Sequence, residues 1–474
     1  MTLPNYFLAD LPPEATLSPA MVTEACQTLK RNRAQYLAHR STEGMVKVLC
    51  AVAEGWLQSE NRFRQLALEQ AGVQALAGLD GTPKRELQPG AAPGAGFSRA
   101  TLEKGLDNFF RQLTPDNFHA LLEQELGHAQ RLDKFVEDGN GKGPVRAAMA
   151  VAPEFLVHIA AGNIPNPTLT SMVLGLLARS AQFVKCAQGA AFLPRLFAHS
   201  IYEADPKLGA CLEVAAWRGG DAGLEEALLA QADCVTATGS DETLAAIRAR
   251  LPVKTRLLGY GHRVSFGYVA HEVLSGFHTR QLVSRTTDDV VAWNQLGCLS
   301  PHVIYVQTGG EVTPEKFAEL LATELERREQ IEPRGELPAE HAAAIASRRG
   351  IYEVRAAHAP ETTQHWCSQD STAWTVVYEA DARFQLSCLN RFIYVKGVRD
   401  LAEALQNAGA VYGQVSTVGL GVPEHRMPEL AAQLADWGVT RVCPLGQMQN
   451  PPLTWRHDGR PALGDLVTWV DLEM

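Results

Sequence analysis

The stretch Phe155-Leu156-Val157-His158-Ile159-Ala160-Ala161-Gly162-Asn163-Ile164-Pro165 decides the architecture. Its first six residues form a short apolar run that reads as a buried strand, and Gly162 with Pro165 and Pro167 ends it. Leu169 to Arg179 then has the length and spacing of a helix, and Gln182 to Cys186 is a second strand. A strand, a helix and a strand in that order make a βαβ unit, because parallel strands need a crossover between them. The texture continues downstream. A third strand near Cys211 to Val214 precedes a helix from Leu224 to Ala230, and Cys234 to Thr238 is a fourth strand, followed by a helix opening at Ser240 or Asp241. Such alternation predicts a parallel sheet covered by helices. Further strands around Lys254 to Leu258 and Val264 to Val269 lead towards Cys298, a strand at Val303 to Val306 and a long charged helix from Pro314 to Glu329, which together predict a second α/β unit.

Upstream of this core, residues 15 to 75 read as helical, with Leu29, Tyr36, Leu37, Val46, Leu49 and Ala53 recurring at helical spacing among charges. The Pro/Gly-dense segment Gln88 to Gly96 is expected to be a loop, helices resume at Ser98 and run to about Phe135, and Asp138 to Pro144 is expected to be a turn. No period of 20–50 residues repeats, so solenoids and propellers are not indicated.

Composition narrows the function. The 474 residues are 46% hydrophobic and 20% charged, ordinary for a folded chain, and the net charge of −10 is spread without long like-charge blocks. This argues against a nucleic-acid-binding surface. The first residues have no basic region followed by an apolar one, and the densest apolar run, Met172 to Ala178, is far too short to span a bilayer, so a cytoplasmic location is expected. The nine cysteines include no C-x-x-C spacing and no histidine pair arranged as for zinc, so neither disulfides nor a metal site is expected.

Three stretches could carry chemistry. Gly162-Asn163 leaves a strand at its carboxyl end, where open α/β sheets bind ligands; a Pro-rich loop before a helix is the plainer reading. Thr238-Gly239-Ser240 also ends a strand, with glycine permitting close backbone approach; there Ser240 either caps the helix or leaves its N–H groups to a phosphate. Lys185, ending the second strand, is a solvated cation or a partner for ribose or phosphate. Gly297-Cys298 places a thiol after a glycine in a turn-like segment, giving room at sulfur and a free backbone donor, as a covalent thioester mechanism requires.

Asn163, Lys185, Gly239, Ser240 and Cys298 follow one another in the order and at roughly the intervals of the aldehyde dehydrogenase superfamily. Within it the chain most resembles the acyl-CoA reductase family, whose best-known members make long-chain aldehyde in the bacterial bioluminescence fatty acid reductase complex. The matching stretches are Gly162 to Pro165, Gly175 to Lys185, Gly297-Cys298-Leu299-Ser300-Pro301, Gly438 to Val442, Trp455-Arg456-His457-Asp458-Gly459 and Val467 to Asp471.

The resemblance implies an α/β fold of aldehyde dehydrogenase type. A helical N-terminal region at 1–145 would pack on a Rossmann-like dinucleotide-binding domain at 146–272. A catalytic domain at 273–445 would follow, with a tail at 446–474 returning to the body or to a partner subunit. It further implies that Cys298 attacks an acyl thioester, that Asn163 and the Cys298 N–H hold the oxyanion, that Lys185 binds the adenosine ribose or its 2′-phosphate, and that Gly239 and Ser240 sit by the pyrophosphate. Fatty acyl-CoA or an acyl-carrier thioester is the implied substrate, an acyl-protein synthetase subunit a possible donor, and a homo-oligomer the implied assembly.

Two departures bear on mechanism. Where hydrolytic aldehyde dehydrogenases carry a glutamate base in Glu-Leu-Gly-Gly-Lys, this chain has Gly259-Tyr260-Gly261-His262-Arg263. Without a carboxylate there, water is poorly activated and the acyl-enzyme can survive until hydride arrives. His262 is a candidate to move a proton in its place, against the plainer reading of a structural histidine. The second departure is Gln188, three residues after Lys185, where NAD-preferring members often have a glutamate; a neutral amide favours NADPH. The His457-Asp458-Gly459 motif is read as a turn with Gly459 at positive φ, since adjacent residues on an extended chain point to opposite faces. Two other readings use the same region: a CoA-acylating aldehyde dehydrogenase, acyltransferase or thioesterase working through Cys298, and a non-catalytic subunit that docks an acyl-activating partner.

Overall fold

The computed structural model describes residues 3–12, 14–76, 97–137 and 146–473. The expected loop at 88–96 and the expected turn at 138–144 lie outside these. The N-terminal region is a layer of helices at Pro19–Asn32, Thr42–Leu57, Arg62–Leu76, Arg99–Phe110 and Pro115–Leu126. Local chemistry sets their starts. Ser18, Ser41, Ser98 and Thr114 each accept a backbone N–H of the first turn through the side-chain oxygen, and Pro19 and Pro115 occupy first positions where no N–H is needed. The last of these helices ends at Gly127, φ 75°, earlier than the sequence expectation of about Phe135.

Strands β1 (Val136–Glu137) and β2 (Arg146–Val151) open the sheet region. They form a small antiparallel sheet with the last strand of the chain, β15 (Thr468–Glu473), in the order β1-β2-β15. The C-terminal tail therefore returns to the body. Strands β3 (Phe155–Ile159), β4 (Ala181–Cys186), β5 (Leu212–Ala216), β6 (Cys234–Thr238) and β7 (Arg256–Tyr260) form an all-parallel sheet in the order β5-β4-β3-β6-β7. Strands β8 (Val264–Val269), β9 (Pro301–Gln307), β10 (Thr363–Cys367), β11 (Thr375–Glu379), β12 (Phe392–Val398), β13 (Val415–Gly421) and β14 (Arg441–Pro444) form a second sheet in the order β10-β11-β12-β9-β8-β13-β14, parallel except for the β10–β11 pair. Strands β4, β8 and β13 are buried along their whole length, as expected where helices cover both faces of a parallel sheet.

The boundary between the two sheets differs from the one at 272. Strand β8 pairs with β9 and β13 in the second sheet, so the chain crosses between sheets at residues 261–263. A run of buried residues at the end of one alternating series looks alike in either sheet. Helices at Phe192–Ala204, Gly276–Val291 and Ala339–His358 complete the layers. Among the described residues no helix is long and apolar enough to cross a membrane.

Candidate active site

The loop bearing Cys298 is built from an unusual backbone. After the helix Gly276–Val291, three successive non-glycine residues, Trp293, Asn294 and Gln295, take φ of 50°, 52° and 64°. Each is disfavoured for an L-residue, so the surroundings must hold the bend. They do so with hydrogen bonds. Asn294 Nδ2 donates to the Arg334 carbonyl at 3.0 Å, and Asn294 Oδ1 accepts from Arg391 Nε at 3.2 Å. Gln295 Nε2 donates to the carbonyls of Pro301 at 2.7 Å and Phe392 at 2.9 Å. Trp293 packs edge-on against Phe97, ring centres 5.1 Å apart, and lies so close to Gly105 that a β-carbon there would collide with the indole. The N-terminal helices thus brace the loop. Ser265 Oγ, on β8, donates to the Cys298 carbonyl at 2.7 Å and fixes the residue against the second sheet.

Cys298 is half-buried and opens into a cavity. The walls come from three parts of the chain: Phe109 on the helix Arg99–Phe110, Leu174 on the helix Asn166–Leu177, and Leu453 and Trp455 of the C-terminal segment. Among the described residues no Asp, Glu, Lys or Arg lines it, which suits an uncharged, largely apolar ligand. At its polar end stand His158 and Thr236, bonded Nδ1 to Oγ1 at 2.6 Å, with His158 Nε2 2.8 Å from Gln182 Oε1. His457 also lines the cavity, stacked on Tyr260 with centres 4.2 Å apart.

Electrostatics make Cys298 a thiol at rest. Burial pushes its ionisation up to about 12, the Asp458 carboxylate adds to this, and Arg263 pulls the other way. The Asp458 side chain is 5% exposed, the residue has φ 52°, and its Oδ2 lies 3.5 Å from Arg263 Nε. The expected turn at 457–459 is present, with Gly459 at φ 77°. Its Asp458 nevertheless adds negative charge to the surroundings of Cys298, an influence that adjacency in sequence cannot reveal.

The other candidate residues divide into two groups. Asn163 joins Cys298: its Nδ2 donates to the Leu296 carbonyl, two residues before the cysteine, at 2.8 Å. Lys185, Gln188, Gly239 and Ser240 lie instead at the carboxyl ends of β4 and β6, the two neighbours of β3, which is where strand order reverses and ligands bind in open sheets. Lys185 Nζ lies 5.6 Å from the centre of the Trp217 ring, and burial pulls its ionisation down. Trp217 Nε1 is a buried donor with no partner among the described residues, and a donor left open beside a lysine over the same ring fits the ribose end of a nicotinamide dinucleotide. Trp217 was not marked by any sequence motif. Gln188 is exposed in the turn after β4, and Ser240 Oγ accepts from the Thr243 N–H at 3.3 Å, so it does cap its helix. His262 is exposed and does not line the cavity; its backbone N–H donates to Asp241 Oδ1 at 3.3 Å. Its neighbours Tyr260 and Arg263 face the region of Cys298 instead.

Two parallel units with a cysteine held at their junction, above a crevice at the switch point of the first sheet, define a protein of aldehyde dehydrogenase fold. Solved structures agree. A protein of Anabaena variabilis described as an aldehyde dehydrogenase, PutA, superposes with a TM-score of 0.68 at 14% identity over 97% of this chain and 94% of its own. The glyceraldehyde-3-phosphate dehydrogenase GapN of Methanocaldococcus jannaschii, complexed with NADP, superposes with a TM-score of 0.65 at 12% identity over 97% and 95%. The model of the acyl-CoA reductase (LuxC) family matches residues 91–469, and the chain belongs to that family. Among its relatives, long-chain acyl-protein thioester reductase 2 of Photobacterium leiognathi is 21% identical over 74% of this chain and 70% of its own. The long-chain acyl-protein thioester reductase of Aliivibrio fischeri is 24% identical over the same shares.

Proposed function

We propose that this protein reduces a long-chain acyl thioester, on CoA or on a carrier protein, to the fatty aldehyde through an acyl-enzyme on Cys298, with NADPH as reductant. The observation that carries the reading is the opening of a braced cysteine into a cavity without charged walls, in a member of the acyl-CoA reductase family. The acyl chain would lie against Phe109, Leu174, Leu453 and Trp455, each buried methylene contributing about 0.8 kcal/mol.

Cys298 attacks the thioester carbonyl and the donor thiol departs. The Cys298 N–H and the second amide hydrogen of Asn163 receive the carbonyl oxygen as it gains charge. Lys185 would hold the ribose end of the cofactor, with Gly239 and Ser240 near the pyrophosphate and the neutral Gln188 imposing no repulsion on a 2′-phosphate. When bound, the nicotinamide supplies the hydride that converts the acyl carbon to the aldehyde level. Water is kept from competing because the segment 259–263 holds no carboxylate, and Asp458 is turned into its ion pair with Arg263 and does not line the cavity. An acyl-protein donor is the partner named for the relatives, and this chain is expected to accept the same class of thioester.

The test is covalent labelling with a radiolabelled long-chain acyl-CoA, followed by NADPH and assay of aldehyde. The wild type should carry label on Cys298 and release it as aldehyde, and Cys298→Ala should carry none. Stoichiometric labelling of Cys298→Ala would overturn the assignment. Label that stays on or transfers to thiols without any NADPH-dependent aldehyde would favour an acyltransferase.

A further inference from the structure

The polar end of the cavity is a chain of side chains whose protons can be placed one after another. We propose that the Thr236 hydroxyl oxygen accepts a hydrogen bond from the carboxamide –NH2 of the nicotinamide, and so selects for that group when the coenzyme binds. This rests on the reading that a nicotinamide coenzyme reduces the acyl group on Cys298.

The chain starts at the carbonyl of Met172, in the helix Asn166–Leu177, which accepts from Gln182 Nε2 at 3.1 Å. A carbonyl cannot donate, so this bond fixes which end of the Gln182 carboxamide is nitrogen, and a β-carbon at Gly175 would collide with the same group. Gln182 Oε1 is therefore the end that meets His158 Nε2, at 2.8 Å, and an oxygen without hydrogen requires the ring proton to sit on Nε2. His158 is enclosed in the sheet with both nitrogens on uncharged partners, and burial pulls its ionisation down to about 4, so the ring is neutral and Nδ1 is bare. The Thr236 hydroxyl, 2.6 Å away, must then donate to Nδ1. Its single proton is spent, and what Thr236 offers to the cavity it lines is an acceptor alone.

A ligand there must bring an N–H or O–H. Among the described residues the lining has no charged side chain, and its other hydroxyls and carboxamides can turn to offer either a donor or an acceptor, whereas Thr236 cannot. The acyl chain brings no such hydrogen, and its carbonyl is an acceptor. The nicotinamide brings a primary amide, carried on the ring carbon bonded to the one that gives the hydride. Hydride reaches a carbon on Cys298 only from within contact, and Cys298 lines the same cavity as Thr236, so the amide enters that cavity with the ring. Its hydrogens would be costly to bury without an acceptor. Thr236 also stands on the strand that the functional reading brings to the coenzyme: β6 ends at Thr238, directly before Gly239 and Ser240, which are assigned to the pyrophosphate. The pantetheine arm of an acyl-CoA carries amide N–H groups too, and the experiment separates the two sources.

The measurement is equilibrium binding to the protein free of acyl donor, where no turnover occurs. NADPH and NADH are each compared with the reduced 3-acetylpyridine analogue, in which a methyl group replaces the amide nitrogen and the carbonyl is kept, with quenching of tryptophan fluorescence giving the dissociation constants. The wild type should bind the natural form about 5- to 10-fold more tightly than the analogue. Thr236→Val, close in shape, should weaken the natural form by that factor, leave the analogue no weaker and bring the ratio near one, and Thr236→Ser should restore it. A wild type that does not discriminate would overturn the proposal, as would a Thr236→Val variant that keeps the wild-type ratio or weakens both forms equally, the mark of a merely structural role. Slower acylation of Thr236→Val by acyl-CoA in the absence of coenzyme, at an unchanged coenzyme ratio, would overturn it in favour of the pantetheine arm. A wild type that binds neither coenzyme would instead overturn the functional reading, and the proposal with it.

Discussion

Asn163 has two amide hydrogens and uses one of them on the Leu296 carbonyl. That bond fixes the amide plane beside the Cys298 loop and leaves the second hydrogen for a substrate oxygen. Asn163→Ala is therefore expected to slow acylation by about 10²–10³-fold, the usual loss for one oxyanion donor, with little change in melting temperature. Rapid-quench labelling measures it, and an unchanged rate would remove Asn163 from the site. At this scale the sequence marks Asn163, Lys185 and Cys298 as candidates, because each pairs a functional atom with a small residue or a strand end. It hid the pairing of Asp458 with Arg263, which depends on a left-handed turn and on the return of the C-terminal segment. It also hid Trp217, which looks like any core aromatic until the amine of Lys185 is seen over its ring. His262, the candidate to move a proton, is instead exposed, and its neighbours face the site.

Strand β3 carries a histidine where a parallel sheet ordinarily carries an aliphatic residue. His158 is fully enclosed, both ring nitrogens are bonded to side chains of β6 and β4, and burial pulls its ionisation down to about 4 from 6.5. The unfolded chain thus takes up a proton below pH 6.5 that the native chain refuses until pH 4. The contribution of His158 is fully present above pH 6.5 and is lost as pH falls towards 4, by up to about 3 kcal/mol. Glu213, pushed up to about 8 by burial, acts in the opposite sense over its own range. The informative quantity is accordingly a difference. Urea midpoints measured at pH 7.5, 6 and 5 should fall less steeply with acid in His158→Gln than in the wild type, and parallel slopes would show that His158 does not titrate on unfolding. Elements of this kind were legible. The strands read at Cys234 to Thr238 and Val264 to Val269 coincide with β6 and β8, and the one read at Gln182 to Cys186 is β4 less its first residue, because buried parallel strands are short apolar runs with sharp ends. The sheet that β8 joins was not legible, since pairing partners are not written in a strand's own residues. Nor was the pairing of β2 with β15, more than 300 residues away and exposed along its length.

The cavity exists only because three distant parts of the chain are tied together above Cys298. Glu125, at the end of an N-terminal helix, accepts the successive backbone N–H groups of Ala462, Leu463 and Gly464 at 3.1, 2.6 and 2.9 Å. Arg256, opening β7, donates to the carbonyls of Asp465, Leu466 and Val467 at 3.2, 2.7 and 3.0 Å. An acid and a base thus grip consecutive peptides of one segment from opposite sides, and Leu466 of that segment is part of the cavity wall. Hydrogen bonds to charged groups contribute about 1.5–3 kcal/mol each, and the three N–H groups left by Glu125→Ala would recover part of this from water. Glu125→Ala should lower global stability by a few kcal/mol at most, yet loosen the wall itself: proteolysis within 449–467 should quicken, and long-chain acyl-CoA should lose its advantage over short-chain acyl-CoA in Cys298 labelling. Arg256→Ala should do the same, and the double variant should cost less than the two losses added, because both grip one segment and either release frees it. Additive losses with unchanged chain-length preference would mean that the segment keeps its place without the clamp, and that the wall of the cavity is held by apolar packing alone.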